Sequence, residues 1–151
     1  MKRYFGSLLL RRMRGGIILQ KREYQIVASM VAELPDHLRG LVERQFNECN
    51  LAQREVGGRT LNFYKMSVFS SKPQQLQTAL YGSAKEAALV GVSVYIPGDA
   101  GTLQATLNAI AGRAFSVSFS RPLPEIRDGE SLQITTVTHT WQSIFPASSD
   151  A

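Results

Sequence analysis

The amino-acid sequence predicts an α+β domain: a mostly antiparallel sheet with two main helices on one face. Three observations carry this expectation. Short apolar runs of strand length outnumber helical stripes, a Gly57-Gly58 pair stands between two extended runs, and prolines at 35 and 97 halt apolar segments that acidic residues follow. Strands joined by hairpins pair antiparallel, and such a sheet covers one face with helices.

Residues 24–34 place Ile26, Ala28, Met30 and Ala32 on one side and Val27, Ser29 and Val31 on the other. Rich in β-branched residues, this segment is expected to be a mostly buried strand. Pro35 ends it, and Asp36 is suited to cap a helix. From there Leu38, Leu41, Val42, Gln45, Phe46 and Cys49 recur at helical spacing, with Arg39, Glu43, Arg44 and Glu48 opposite and Asn50 as the stop. A hairpin about Gly57-Gly58 comes next, because both turn positions tolerate positive φ. Residues 70–84 read as a connector with a short helix starting near Ser71 and Pro73, edged by Leu76, Leu80 and Tyr81.

Residues 88–96 form an apolar strand. Leu103, Leu107 and Ile110 then suggest a second helix, capped by Asp99 or Thr102 and closed at Gly112. Phe115, Val117 and Phe119 alternate with serines as a half-exposed strand. A final strand spans 132–141, and its face switches between Ile134 and Val137 as at a bulge. The layout admits two βαββ-like halves, at about 24–68 and 88–141, with duplication and coincidence both open. The strands are apolar enough on both sides to suggest a second covering layer, such as a partner chain.

With 151 residues, 44% of them apolar and 19% charged, the chain has the make-up of one ordinary folded domain. Its charge is unevenly placed. Of 17 Lys/Arg and 12 Asp/Glu, residues 1–22 hold seven cations and no acid: Lys2, Arg3, Arg11, Arg12, Arg14, Lys21 and Arg22. The rest is left with ten cations against twelve acids, so the net charge of +5 arises entirely at this end. A block of like charge gains free energy only against an anionic partner, and those seven residues are the expected binding set. Tyr4, Phe5, Leu8, Leu9, Leu10, Met13, Ile17, Ile18 and Leu19 lie among them. A purely electrostatic tail has no use for so much apolar surface, so the segment is expected to lie against its own domain, another subunit or a membrane.

The expected organisation is a basic-apolar arm at 1–22, a domain at 23–145 and a tail at 146–151. No stretch reaches the roughly 18 apolar residues that span a bilayer. Leu8-Leu9-Leu10 is cut short by Arg11, too soon for a secretory core. The arm is Arg-rich and acid-free, which leaves an organelle presequence open as an alternative, although on a helical wheel Arg12 falls between Phe5 and Leu8 and interrupts the face one would present. Cys49 is the lone cysteine, so there is no internal disulfide, which favours the cytoplasm.

Cys49 would need a base to act as a nucleophile. His37 sits three turns away on the same expected helix, about 18 Å along its axis, and nothing local brings His139 near. Cys49 also lies on the apolar stripe, where a thiol packs well. The two histidines have no close-spaced ligand to make a zinc site, although His139 with Glu125, Asp128 or Glu130 forms a conceivable mixed set. Pro97-Gly98-Asp99-Ala100-Gly101 matches no phosphate-loop pattern. No catalytic, cofactor or metal set therefore stands out. The expected function is a non-catalytic binding or assembly protein that joins other subunits through the arm. A small-molecule site or enzyme between helices and sheet is one alternative, and a nucleic-acid or acidic-membrane contact through the arm is another.

Overall fold

The computed structural model describes residues 8–67, 69–70, 72–77, 79–80, 85–98, 101–124 and 131–144. Among them are three α-helices, α1 (Leu8–Arg14), α2 (Lys21–Ala32) and α3 (Asp36–Glu48), all preceding the strands. The strands are β1 (Leu51–Arg54), β2 (Thr60–Tyr64), β3 (Glu86–Tyr95), β4 (Thr102–Ile110), β5 (Arg113–Phe119) and β6 (Gln133–Thr138). They form one antiparallel sheet in the order β1-β2-β5-β4-β3-β6. Both α2 and α3 lie over one face, as the α+β expectation required.

Two elements exchange the types expected of them. The segment at 24–34 is not a strand; it belongs to α2 and the turn after it. Ile26, Val27, Met30, Val31 and Leu34 are buried, a stripe of 3.6 period that an alternating reading splits in two. The helix start is built by a capping box: the Gln20 N–H donates to Glu23 Oε2 at 2.7 Å, and the Gln20 side chain accepts from the amide of Glu23. Conversely, the helix expected at 102–112 is β4. Leu103, Ala105, Leu107 and Ala109 point into the core while Gln104, Thr106 and Asn108 point away. Leucines four apart satisfy both periods, and the alanines between them decide for the strand. Ala111 (φ 50°) and Gly112 (φ 72°) then close a two-residue hairpin rather than a helix.

These exchanges remove the two βαββ-like halves, since the helices all fall in the N-terminal third. The element that follows Pro97-Gly98 is therefore a strand, β4, and not a helix capped by Asp99 or Thr102; Asp99 and Ala100 lie outside the described residues. The α3 cap position is Pro35, not Asp36, which opens the first turn and pairs with Arg39 at 3.3 Å. The described residues of 70–84 contain no helix; Ser71 and Tyr81 lie outside them. Leu76 and Leu80 are nonetheless buried, tied by Arg113 Nε to the Leu76 carbonyl (2.8 Å) and the Leu80 N–H to the Gly112 carbonyl (2.5 Å).

The final strand, expected over 132–141, ends at Thr138, and Thr140–Ser143 form a 3-10 helix. In β5 a register shift puts Ala114, not Phe115, in the core with Val117 and Phe119. The turn expected at Gly57-Gly58 and the bulge expected in the last strand are present. Gly57 (φ 95°) and Gly58 (φ 68°) carry the turn before β2. In β6 the register shifts between Ile134 and Thr136, placing a bulge at Thr135. The buried Gln45 side chain donates to the Gly112 carbonyl (3.1 Å) and accepts from the Ala114 N–H (2.8 Å), fastening α3 to the β4–β5 turn. Phe46 meets the Phe63 ring edge-on with centroids 4.9 Å apart.

The outer face of the sheet is mixed, with exposed Tyr95 and Ile110 and the Tyr64–Phe115 ring pair beside a polar centre. Across it run Asn62, Ser116, Ser118, Asn108, Thr106, Gln104 and Ser93. Asn108 Nδ2 donates to Ser118 Oγ (2.8 Å), and Ser93 Oγ donates to Gln104 Oε1 (2.8 Å). The centre of this face consists of polar side chains that satisfy one another and is stable against water.

Candidate functional site

The basic segment is built into the domain from Arg11 onward. Gly15 takes φ 68° after α1, and the Gly16 N–H returns to the Arg11 carbonyl at 2.8 Å, a helix end that needs a left-handed residue. Gly16 fits against the sheet: a Cβ there would collide with Leu51 Cδ1 and stand 3.2 Å from Arg11 Cα. The Ile17 N–H donates to the Ala52 carbonyl (2.8 Å), and Gln53 Nε2 donates to the Arg14 carbonyl, so this stretch seals the outer edge of β1. Leu19 is fully buried in the main core. The arm lies on its own domain over these residues, and it contains a short helix where the sequence suggested no element.

Beneath this turn Glu23, only 2% exposed, meets Arg54. Arg54 Nε and Nη2 both donate to Glu23 Oε1, at 2.8 and 2.5 Å, while Oε2 caps α2. One buried carboxylate therefore joins the start of α2 to β1. Arg11, Arg12, Gly16, Ile17, Ile18, Gln20 and Arg54 line a concavity of about 400 Å³ above the pair.

The seven cations named from the sequence have different fates. Arg11 and Arg12 come together with Arg54 in the concavity. Lys21 is exposed at the first position of α2, next to Gln20 of that lining. Arg22 Nη1 donates to the Pro124 carbonyl at 3.0 Å and anchors the loop after β5. Arg14 faces a second concavity of about 410 Å³ with Met13, Gln53, Tyr64 and Met66. There burial pushes the Tyr64 phenol up, the Glu55 carboxylate adds to the rise, and a hydrogen bond with Asn62 opposes it. Lys2 and Arg3 lie outside the described residues. Sequence reasoning missed Arg54, whose place depends on a partner 31 residues earlier; Glu23 as the first acid after a cationic run was the available sign.

The other candidates stand apart. Cys49 is buried in the main core. His139 Nε2 lies 3.3 Å from Glu33 Oε2, and its ring stacks on Trp141 at 6.2 Å. Glu125, Asp128 and Glu130, the mixed metal set conceivable for His139, lie outside the described residues. Among the described residues no three His, Cys, Asp or Glu gather as metal ligands, and no helix is long and apolar enough to cross a membrane. Comparison with protein-family models, curated proteins and solved structures returns no match.

Proposed function

We propose that this chain is a non-catalytic binding protein that docks on an anionic partner through the basic-apolar corner of residues 11–22. One observation carries the reading: residues 11–22 gather five cations and no acid, whereas acids outnumber cations twelve to ten over residues 23–151. Within that group Arg11, Arg12 and Lys21 form no ion pair among the described residues, whereas Arg54, on the neighbouring strand, is held by Glu23. Unmatched like charges repel one another, and an anionic surface relieves that cost. Because the corner is fixed by Leu19, Gly16 and the Glu23–Arg54 pair, its cations are presented without a loop having to order on binding.

The test is a pair of full-chain variants with equal net charge. Arg11→Gln/Arg12→Gln/Lys21→Gln empties the corner; Arg44→Gln/Arg59→Gln/Lys72→Gln removes three exposed cations elsewhere. Affinity for immobilised polyglutamate at low salt is expected to fall about tenfold in the corner variant, from three contacts of about 0.5 kcal/mol each. The matched variant should stay near the parent chain, and added salt should abolish the difference. Equal losses in both variants would overturn the reading, since net charge alone would then explain retention.

A further inference from the structure

We infer that the partner met by this corner is an anionic bilayer surface. The inference rests on the docking reading above and adds the partner's chemistry. Ile18, 43% exposed, lines the concavity with Arg11 and Arg12, while Met13, 53% exposed, stands on the other side of the Gly15-Gly16 turn beside Arg14. The corner thus offers both signals that a stable peripheral contact needs: apolar side chains to enter the headgroup boundary and cations to meet lipid phosphates. No acid occurs between residues 1 and 22 to repel such a surface, and Tyr4, Phe5 and Leu8-Leu9-Leu10 continue the same composition along the chain.

Two rival partners fit less well. A stable protein interface engages roughly 20–30 residues a side. Of residues 11–22 only Arg12, Met13, Gly15, Ile18, Gln20 and Lys21 are exposed. A charged bilayer sets no such minimum, because each cation near its surface contributes separately. Nucleic acid would use the cations but not Met13 or Ile18, and residues 11–22 hold no aromatic side chain on which a base could stack.

Co-sedimentation of the full chain with vesicles tests the inference. Vesicles of phosphatidylcholine with about one-third phosphatidylserine should bind the chain at least tenfold more tightly than phosphatidylcholine alone, given roughly fivefold per cation near the surface. Met13→Ser/Ile18→Ser alters exposed side chains and leaves every cation in place. It should weaken vesicle binding about tenfold, by removing apolar insertion, and leave retention on polyglutamate unchanged. Indifference to phosphatidylserine, or vesicle binding unmoved by Met13→Ser/Ile18→Ser, overturns the bilayer inference. So does tighter binding to a 20-base-pair duplex than to the anionic vesicles. Retention on polyglutamate that persists beside any of these failures leaves the docking reading standing; its loss ends both.

Discussion

Arg54→Ala is expected to cost about 2–4 kcal/mol of folding stability, read from urea unfolding at neutral pH. The figure follows from where the two charges sit. Glu23 is almost wholly buried and keeps just the Gln20 N–H once the guanidinium is gone, while Arg54 itself is 30% exposed. Water reaches the vacated side, so the loss falls below that of a fully enclosed pair. Arg54→Lys should recover only part of it, because a single ammonium does not reproduce the paired Nε and Nη2 contacts on Glu23 Oε1. Replacing both partners, as Glu23→Gln/Arg54→Met, should cost less than Arg54→Ala, since no unpaired charge remains inside. A loss below about 0.5 kcal/mol for Arg54→Ala would mean that the pair behaves like an exposed surface bridge. The corner would then lack the rigid base assigned to it.

Phe46→Ala is expected to be the most damaging single truncation, at about 3–5 kcal/mol. Its ring is 1% exposed on α3 and packs edge-on against Phe63 of β2. Removing it opens a cavity between helix and sheet and forfeits the aromatic pair. β2 is the neighbour that positions β1, and β1 carries Arg54, so the damage extends towards the basic corner. Phe46→Leu should cost roughly half as much, because it restores most of the lost apolar contact. Thermal unfolding followed by far-UV circular dichroism gives the comparison. Equal transition temperatures for the parent and Phe46→Ala would contradict this view of the core.

Much of this fold was legible because local and tertiary requirements coincide. The α3 stripe, the Gly57-Gly58 turn and the bulge in β6 each obey one period or one turn chemistry. The two exchanged elements obey two at once. In α2, Ile26, Val27, Met30 and Val31 mix β-branched side chains with helical spacing, and burial against β3 and β4 decides in favour of the helix. In β4, Leu103 and Leu107 suit either element until Ala105 and Ala109 are seen to line up beside β5. The basic corner was visible as composition but not as geometry. Nothing local marks Arg22 for the Pro124 carbonyl or Arg54 for Glu23, since those pairings span 102 and 31 residues. They fall into place only once the chain has closed.

The most direct test of the account is a residue-by-residue map of where an anionic partner touches the full chain. Backbone amide shifts recorded by NMR during titration with short polyglutamate, and then with small phosphatidylserine-containing bicelles, supply it. Changes are expected to centre on Arg11, Arg12, Ile18, Lys21 and Arg54, with Met13 joining in the bicelle titration and the outer sheet face around Asn108 unmoved. Changes spread evenly over the surface cations, or gathered on the Ser93–Asn108–Ser118 face while residues 11–21 stay silent, would contradict that expectation.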